Sequence, residues 1–146
     1  MLGKNTLRTI AALEIYGGVA GIASTVISMF QGRFVGFGLF FAILVTAFCV
    51  FSLLAGIYLI EGKPQGIKIS MIIQAIQIPY LANHFFSFFI VSGASLLVYI
   101  GNPAGWNLNV TFDWFISLGG ENAMSFGVNV ISLIAFLALK KESRTN

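Results

Sequence analysis

Glu14 is the one acidic side chain that falls inside an apolar run of this chain. A carboxylate at the centre of a bilayer is costly unless paired, so an intramembrane acid marks either an ion pair or a site for a proton or cation. Lys68 and Arg8 are the bases expected to pair with it at the interface. Gln74 and Gln77, three residues apart, share one face of another apolar run, and Asn129 sits in the last one. Glu14, Gln74, Gln77 and Asn129 are the candidate ligand- or ion-binding residues.

Reactive chemistry is not expected. The chain has no nucleophile beside a base, no close carboxylate pair and no phosphate-cradling glycine loop, and the Glu61-Gly-Lys-Pro-Gln-Gly66 turn lacks P-loop spacing. The single histidine, His84, cannot supply two ligands to a haem, and no His/Cys/Asp cluster suggests zinc. Cys49 stands alone in an apolar run and reads as a packing residue. We therefore expect no enzyme, no metal and no cofactor.

The elements that hold these residues follow from composition. Hydrophobic residues are 58% of the 146, charged residues 9%, and mean hydropathy is +0.92. Soluble domains carry about a quarter charged residues. The bilayer is thus the expected partner and solvent, and an integral membrane protein the expected class. The net charge of +3 is explained by basic helix ends, and no basic patch points to nucleic acid.

Apolar runs predict spans at about 9–30, 35–60, 66–83 and 122–140, within a single membrane domain covering 1–146. Glu14 and the lack of an Ala-x-Ala site make the first run a retained span rather than a cleaved signal. From Gly66 to Ile100 the run is too long for one helix, and charge settles how it divides. Four spans put Lys4, Arg8, Lys63, Lys68, Lys140, Lys141 and Arg144 on one side and leave only Arg33 on the other. By the positive-inside rule both termini are then cytoplasmic, and a bacterial inner membrane is the expected location.

Residues 106–114 alternate apolar and polar, with Trp106, Leu108, Val110, Phe112 and Trp114 on one face. Period two reads as a half-buried strand. Asn102-Pro-Ala-Gly105 is a turn sequence, and 95–100 suits a partner strand, with room for another at 86–91. The expected fold is therefore an all-α, multi-pass four-helix bundle, with a small extracytoplasmic β-hairpin in segment 85–121, outside the hydrocarbon, between helices three and four.

Small and polar residues recur at helical spacing in every span, so four such faces should meet in the bundle. Gly17, Gly18 and Gly21 form a helix-packing patch usable within the bundle or for homodimerisation. Pro79 should kink or end its helix. The expected function is non-enzymatic, through protein contacts as a homo-oligomer or an accessory subunit of a membrane protein partner. The alternative is a small transporter or channel with a polar pathway between the helices.

Overall fold

The computed structural model describes residues 3–101, 104–118 and 124–144. Two long helices come first: α1 (Lys4–Phe30) and α2 (Phe37–Ile60), of 27 and 24 residues. At 1.5 Å per residue they reach about 40 and 36 Å, enough to cross a hydrocarbon core of about 30 Å. Each is followed by a glycine in the left-handed region, Gly32 at φ 67° and Gly62 at φ 70°. That conformation ends a helix with little steric cost only at glycine.

The third helix, α3 (Pro64–Gln77), starts with proline in its first turn and stops after 14 residues. Pro79 is the reason: its nitrogen has no proton to donate and its ring collides with the preceding turn. The chain turns extended there into β1 (Pro79–Ala82) and continues as β2 (Phe86–Ser92), β3 (Ser95–Gly101), β4 (Gly105–Asn109), β5 (Phe112–Leu118) and β6 (Ser125–Asn129). The last helix, α4 (Val130–Ser143), also has 14 residues.

This corrects the all-α, multi-pass four-helix bundle. Among the described residues two helices, not four, are long and apolar enough to cross a membrane. The expected spans at 66–83 and 122–140 each combine a helix with a strand: α3 gives way to β1 after Gln77, and β6 precedes α4 at Val130. An apolar run alone does not separate a buried helix from a buried strand. The runs holding Phe86–Ser92 and Ser125–Asn129 are rich in aromatic and β-branched residues, which fit a pleated surface.

The small hairpin is corrected as well. All six strands form one antiparallel sheet in the order β4-β3-β6-β1-β2-β5. The strands expected at 86–91 and 95–100 are present, and β3 pairs with β4 from Ser95↔Asn109 to Tyr99↔Gly105. The alternation of 106–114 does not run through one strand. It breaks at Val110-Thr111, which leaves β4 and β5 on opposite edges of the sheet. Asn102 and Pro103 of the expected turn and the start of the 122–140 span lie outside the described residues.

That link forces curvature. Five spacings across a flat six-stranded sheet come to about 24 Å. Three residue steps from Asn109 to Phe112 reach only about 11 Å. The sheet therefore curls until its edges approach, and Gly93 N–H donates to the Thr111 carbonyl (3.3 Å) where they do.

Four helices meet only at one end, where Ile10, Ala11, Leu59, Ala135 and Leu139 form a core with Leu7, Ile67 and Met71 against it. Farther along, the sheet takes the place that longer α3 and α4 would have filled. Ile90 of β2 and Phe112, Trp114 and Ile116 of β5 pack on Ile22, Val45, Phe48 and Cys49 of α1 and α2. The sheet thus lies alongside the two long helices, not beyond their ends.

Candidate functional site

Helical spacing brings Glu14, Ser70 and Gln74 together. Glu14 is fully buried; Ser70 Oγ donates to its Oε2 at 2.7 Å and Gln74 Nε2 to its Oε1 at 3.0 Å. Ser52 of α2 donates to the Glu14 backbone carbonyl at 3.2 Å. The carboxyl therefore ties α1 to α3, and its backbone ties α1 to α2. Interface pairing with Lys68 or Arg8 is corrected: both bases are exposed, the Glu14 carboxyl is taken up by Ser70 and Gln74, and Lys63 pairs with Glu61, at 2.7 Å in the α2–α3 turn.

One step along, the Ser52 and Ser92 hydroxyls lie 3.1 Å apart, and Gln77 Oε1 accepts from Ser92 N–H at 2.8 Å. Three helices and β2 are joined by this chain of polar groups. Gln77 Nε2 is buried without a partner among the described residues. Asn129 stands apart from the other three candidates. Its Oδ1 accepts from Ser132 N–H and from Leu96 N–H, and its Nδ2 donates to Ser132 Oγ, so it caps α4 and fastens it to β3. The cavities described below are lined by other residues.

The glycine patch faces inward. A Cβ on Gly18 would come within 2.8 Å of the Cys49 carbonyl oxygen, one on Gly17 would strike Ser92 and Gly93, and one on Gly21 would strike Cys49 and Phe112. Gly17, Gly18 and Gly21 are thus taken up by contact of α1 with α2 and with the sheet. His84 is exposed in the β1–β2 turn, where Asn83 Oδ1 accepts from the N–H groups of Phe85 and Phe86.

The open space is elsewhere. The concave face of the sheet encloses about 220 Å³ among Tyr80, Phe89, Tyr99, Asn107, Asn109 and Asp113, with Ser95 and Leu97 on its floor. A second hollow of about 200 Å³ continues past Tyr80 and Phe89 to Ser87 and Phe115. Outside β5, a cleft of about 510 Å³ lies between Ser24, Thr25 and Ser28 of α1, Arg33 and Phe34 of the α1–α2 turn, and β5. Asp113 lines both this cleft and the concave chamber.

Sequence reasoning singled out the helix interior and missed these surfaces. One signal was available: Arg33 is the only base on its side of the four-span assignment, and Asp113 stands in the segment expected there. The rest was hidden because alternation assigns a residue to a face without showing which face encloses a cavity. No group of His, Cys, Asp and Glu among the described residues is arranged to hold a metal ion. Comparison with family models, curated proteins and solved structures yields no match.

Proposed function

We propose that the protein is a non-enzymatic binding protein, anchored in a bilayer by α1 and α2, whose curled sheet holds a small polar solute. The observation that carries this is the polarity of the sheet. Its concave face presents Ser95, Tyr99, Asn107 and Asn109 to the chamber, beside the apolar Phe89, Val91 and Leu97. Its convex face presents Val98, Ile100, Trp106, Leu108, Phe126 and Val128, all exposed, Trp106 by 72% and Ile100 by 71%.

In water this pattern places apolar groups where they lose most and polar groups where they gain least. Against lipid it is the pattern of a membrane β-barrel, apolar outside and polar within. Curling also brings the two sheet edges together, which limits the unpaired backbone offered to hydrocarbon. Arg8, Lys63, Lys68, Lys140 and Lys141 belong to the end where the four helices meet, and Arg33 to the other. The positive-inside rule then puts both termini on the cytoplasmic side of the cytoplasmic membrane. A chamber of 220 Å³ equals about seven water molecules in volume, which suits a small solute.

Native mass spectrometry of gently extracted protein tests the reading. The expected result is a bound small molecule of defined mass, absent from Asn109→Leu. No such mass, together with no melting shift across a broad panel of polar solutes, removes the proposal.

A second reading is favoured by the same convex face. Val98, Ile100, Trp106 and Leu108 of adjacent strands form one apolar surface that a second copy or a membrane protein partner would cover. A defined oligomer that Trp106→Ser disperses supports it, and a lipid-solvated monomer excludes the homo-oligomer.

A further inference from the structure

The cleft outside β5 carries two opposite charges, Arg33 and Asp113, both exposed and not paired with each other among the described ion pairs. Phe34 and Trp114, with ring centroids 5.6 Å apart, form an aromatic wall beside them. Opposite lie hydroxyls of α1, including Thr25 Oγ1, which is buried without a hydrogen-bond partner among the described residues. An anionic ligand alone would meet Asp113, and a cationic one alone would meet Arg33. One molecule carrying both charges satisfies both.

The position of the cleft identifies what brings those charges. It lies at the turn between α1 and α2, whose lengths exceed the hydrocarbon thickness, so that Arg33 stands at headgroup depth. Ile116 is common to the cleft and to an apolar groove of about 310 Å³ between α2 and β2, flanked by Phe41, Phe48 and Phe88. Gly36, Phe37 and Phe40 bound another apolar hollow of about 390 Å³ beside the turn. Charged cleft and apolar grooves thus adjoin, as the two parts of an amphiphile do.

We propose that the cleft binds one diacyl phospholipid with a zwitterionic headgroup, its phosphate on Arg33 and the α1 hydroxyls, its ammonium on Asp113 and its acyl chains along α2. Arginine suits the phosphate because its planar fork can donate two parallel hydrogen bonds. This inference rests on the bilayer placement proposed above.

The test uses the full chain in detergent, stripped of lipid and offered equal amounts of phosphatidylethanolamine, phosphatidylglycerol and diacylglycerol with identical acyl chains. Native mass spectrometry should show the zwitterionic lipid retained about tenfold over either of the others. Arg33→Gln should lower that retention about tenfold, Arg33→Lys should restore part of it, and Asp113→Asn should bring phosphatidylglycerol level with phosphatidylethanolamine. Soluble phosphoethanolamine should give no adduct at the concentration that saturates with lipid.

Equal retention of all three lipids, retention unchanged in Arg33→Gln, or the soluble headgroup binding as tightly as the lipid would each overturn the assignment. Both side chains are exposed, so unchanged thermal melting of the variants separates lost binding from lost fold. Resistance to alkaline carbonate extraction tests the bilayer placement by itself. A protein retained in the membrane without headgroup preference sinks this inference and leaves that placement standing.

Discussion

The rings of Tyr80 and Tyr99 lie 5.8 Å apart although their strands are not neighbours, because the residue between them is Gly127. Tyr80 pairs with Gly127 on one side and Tyr99 with Gly127 on the other, so the missing side chain lets the two rings meet across β6. An added Cβ would stand 2.7 Å from Tyr99 Cβ and 2.8 Å from the Val98 carbonyl oxygen, contacts that only backbone movement relieves. Gly127→Ala is therefore expected to destabilise the protein by about 1–3 kcal/mol. Thermal unfolding in detergent measures it; a melting point equal to wild type would show that the sheet yields freely there.

Glu14→Ala should be more damaging. It removes the acceptor of both Ser70 Oγ and Gln74 Nε2 in a fully buried site and opens a cavity among three helices. Two orphaned donors cost about 2–6 kcal/mol together. Glu14→Gln keeps one acceptor oxygen and most of the volume, so its loss is expected to be about half as large. Denaturant unfolding of the three proteins provides the ranking. A reversed order would mean that the carboxyl is not the clamp between α1 and α3.

Gly18→Leu separates packing within the chain from packing between chains. The new side chain would wedge α1 from α2 at Cys49 and Leu53, where contact is backbone to backbone. We expect a fall in folded yield and a loss of at least about 2 kcal/mol, with the oligomeric state of the surviving protein unchanged. Size-exclusion chromatography with light scattering reads the second half. Loss of an oligomer from a protein of wild-type stability would place the glycine on an outer interface instead.

Asn129→Ala removes the N-cap of α4 and leaves Leu96 N–H without that acceptor. The expected cost is about 1–2 kcal/mol, and Asn129→Asp should recover most of it because the acceptor oxygen remains. Hydrogen exchange should rise first in the opening turn of α4. Faster exchange confined to the α1–α2 turn would contradict this role.

Much of the buried cluster was legible in the sequence, since Ser70, Gln74 and Gln77 follow helical spacing and Glu14 stands out by charge alone. The two long helices were legible for the same reason, being long, apolar and bounded by turn residues. What failed was the neighbourhood of the strands. Trp106 and Trp114 were placed on one face of one strand; the register keeps them on one face, but Trp106 is exposed on β4 and Trp114 packs against Phe34 on β5 at the other edge. A period of two states which residues share a side; it contains nothing about which strands pair.

The β6 segment was lost for a different reason. Ser125-Phe-Gly-Val-Asn129 adjoins the α4 run without any breaker, so hydropathy merged the two into one expected span. Gly127 was a faint warning, because glycine weakens a helix interior and often marks close backbone approach in a strand. The chamber could not be read in advance, because Tyr80 and Asn109 face one another only after β6 has separated and aligned their strands.

That position of β6 sets an order on assembly. It lies between β1 and β3, strands that precede it by some 30 to 46 positions in the chain, while β1–β2 and β3–β4 can each pair as local hairpins. Until β6 inserts, the two halves share no hydrogen-bonded ladder, and Tyr80 and Tyr99 have no common neighbour to align them. Because β6 runs directly into α4, the step that closes the sheet also brings that helix against α3. During synthesis strands 1 to 5 therefore emerge as two separate ladders, and the curled sheet is complete only once the last strand and the helix that follows it have left the ribosome.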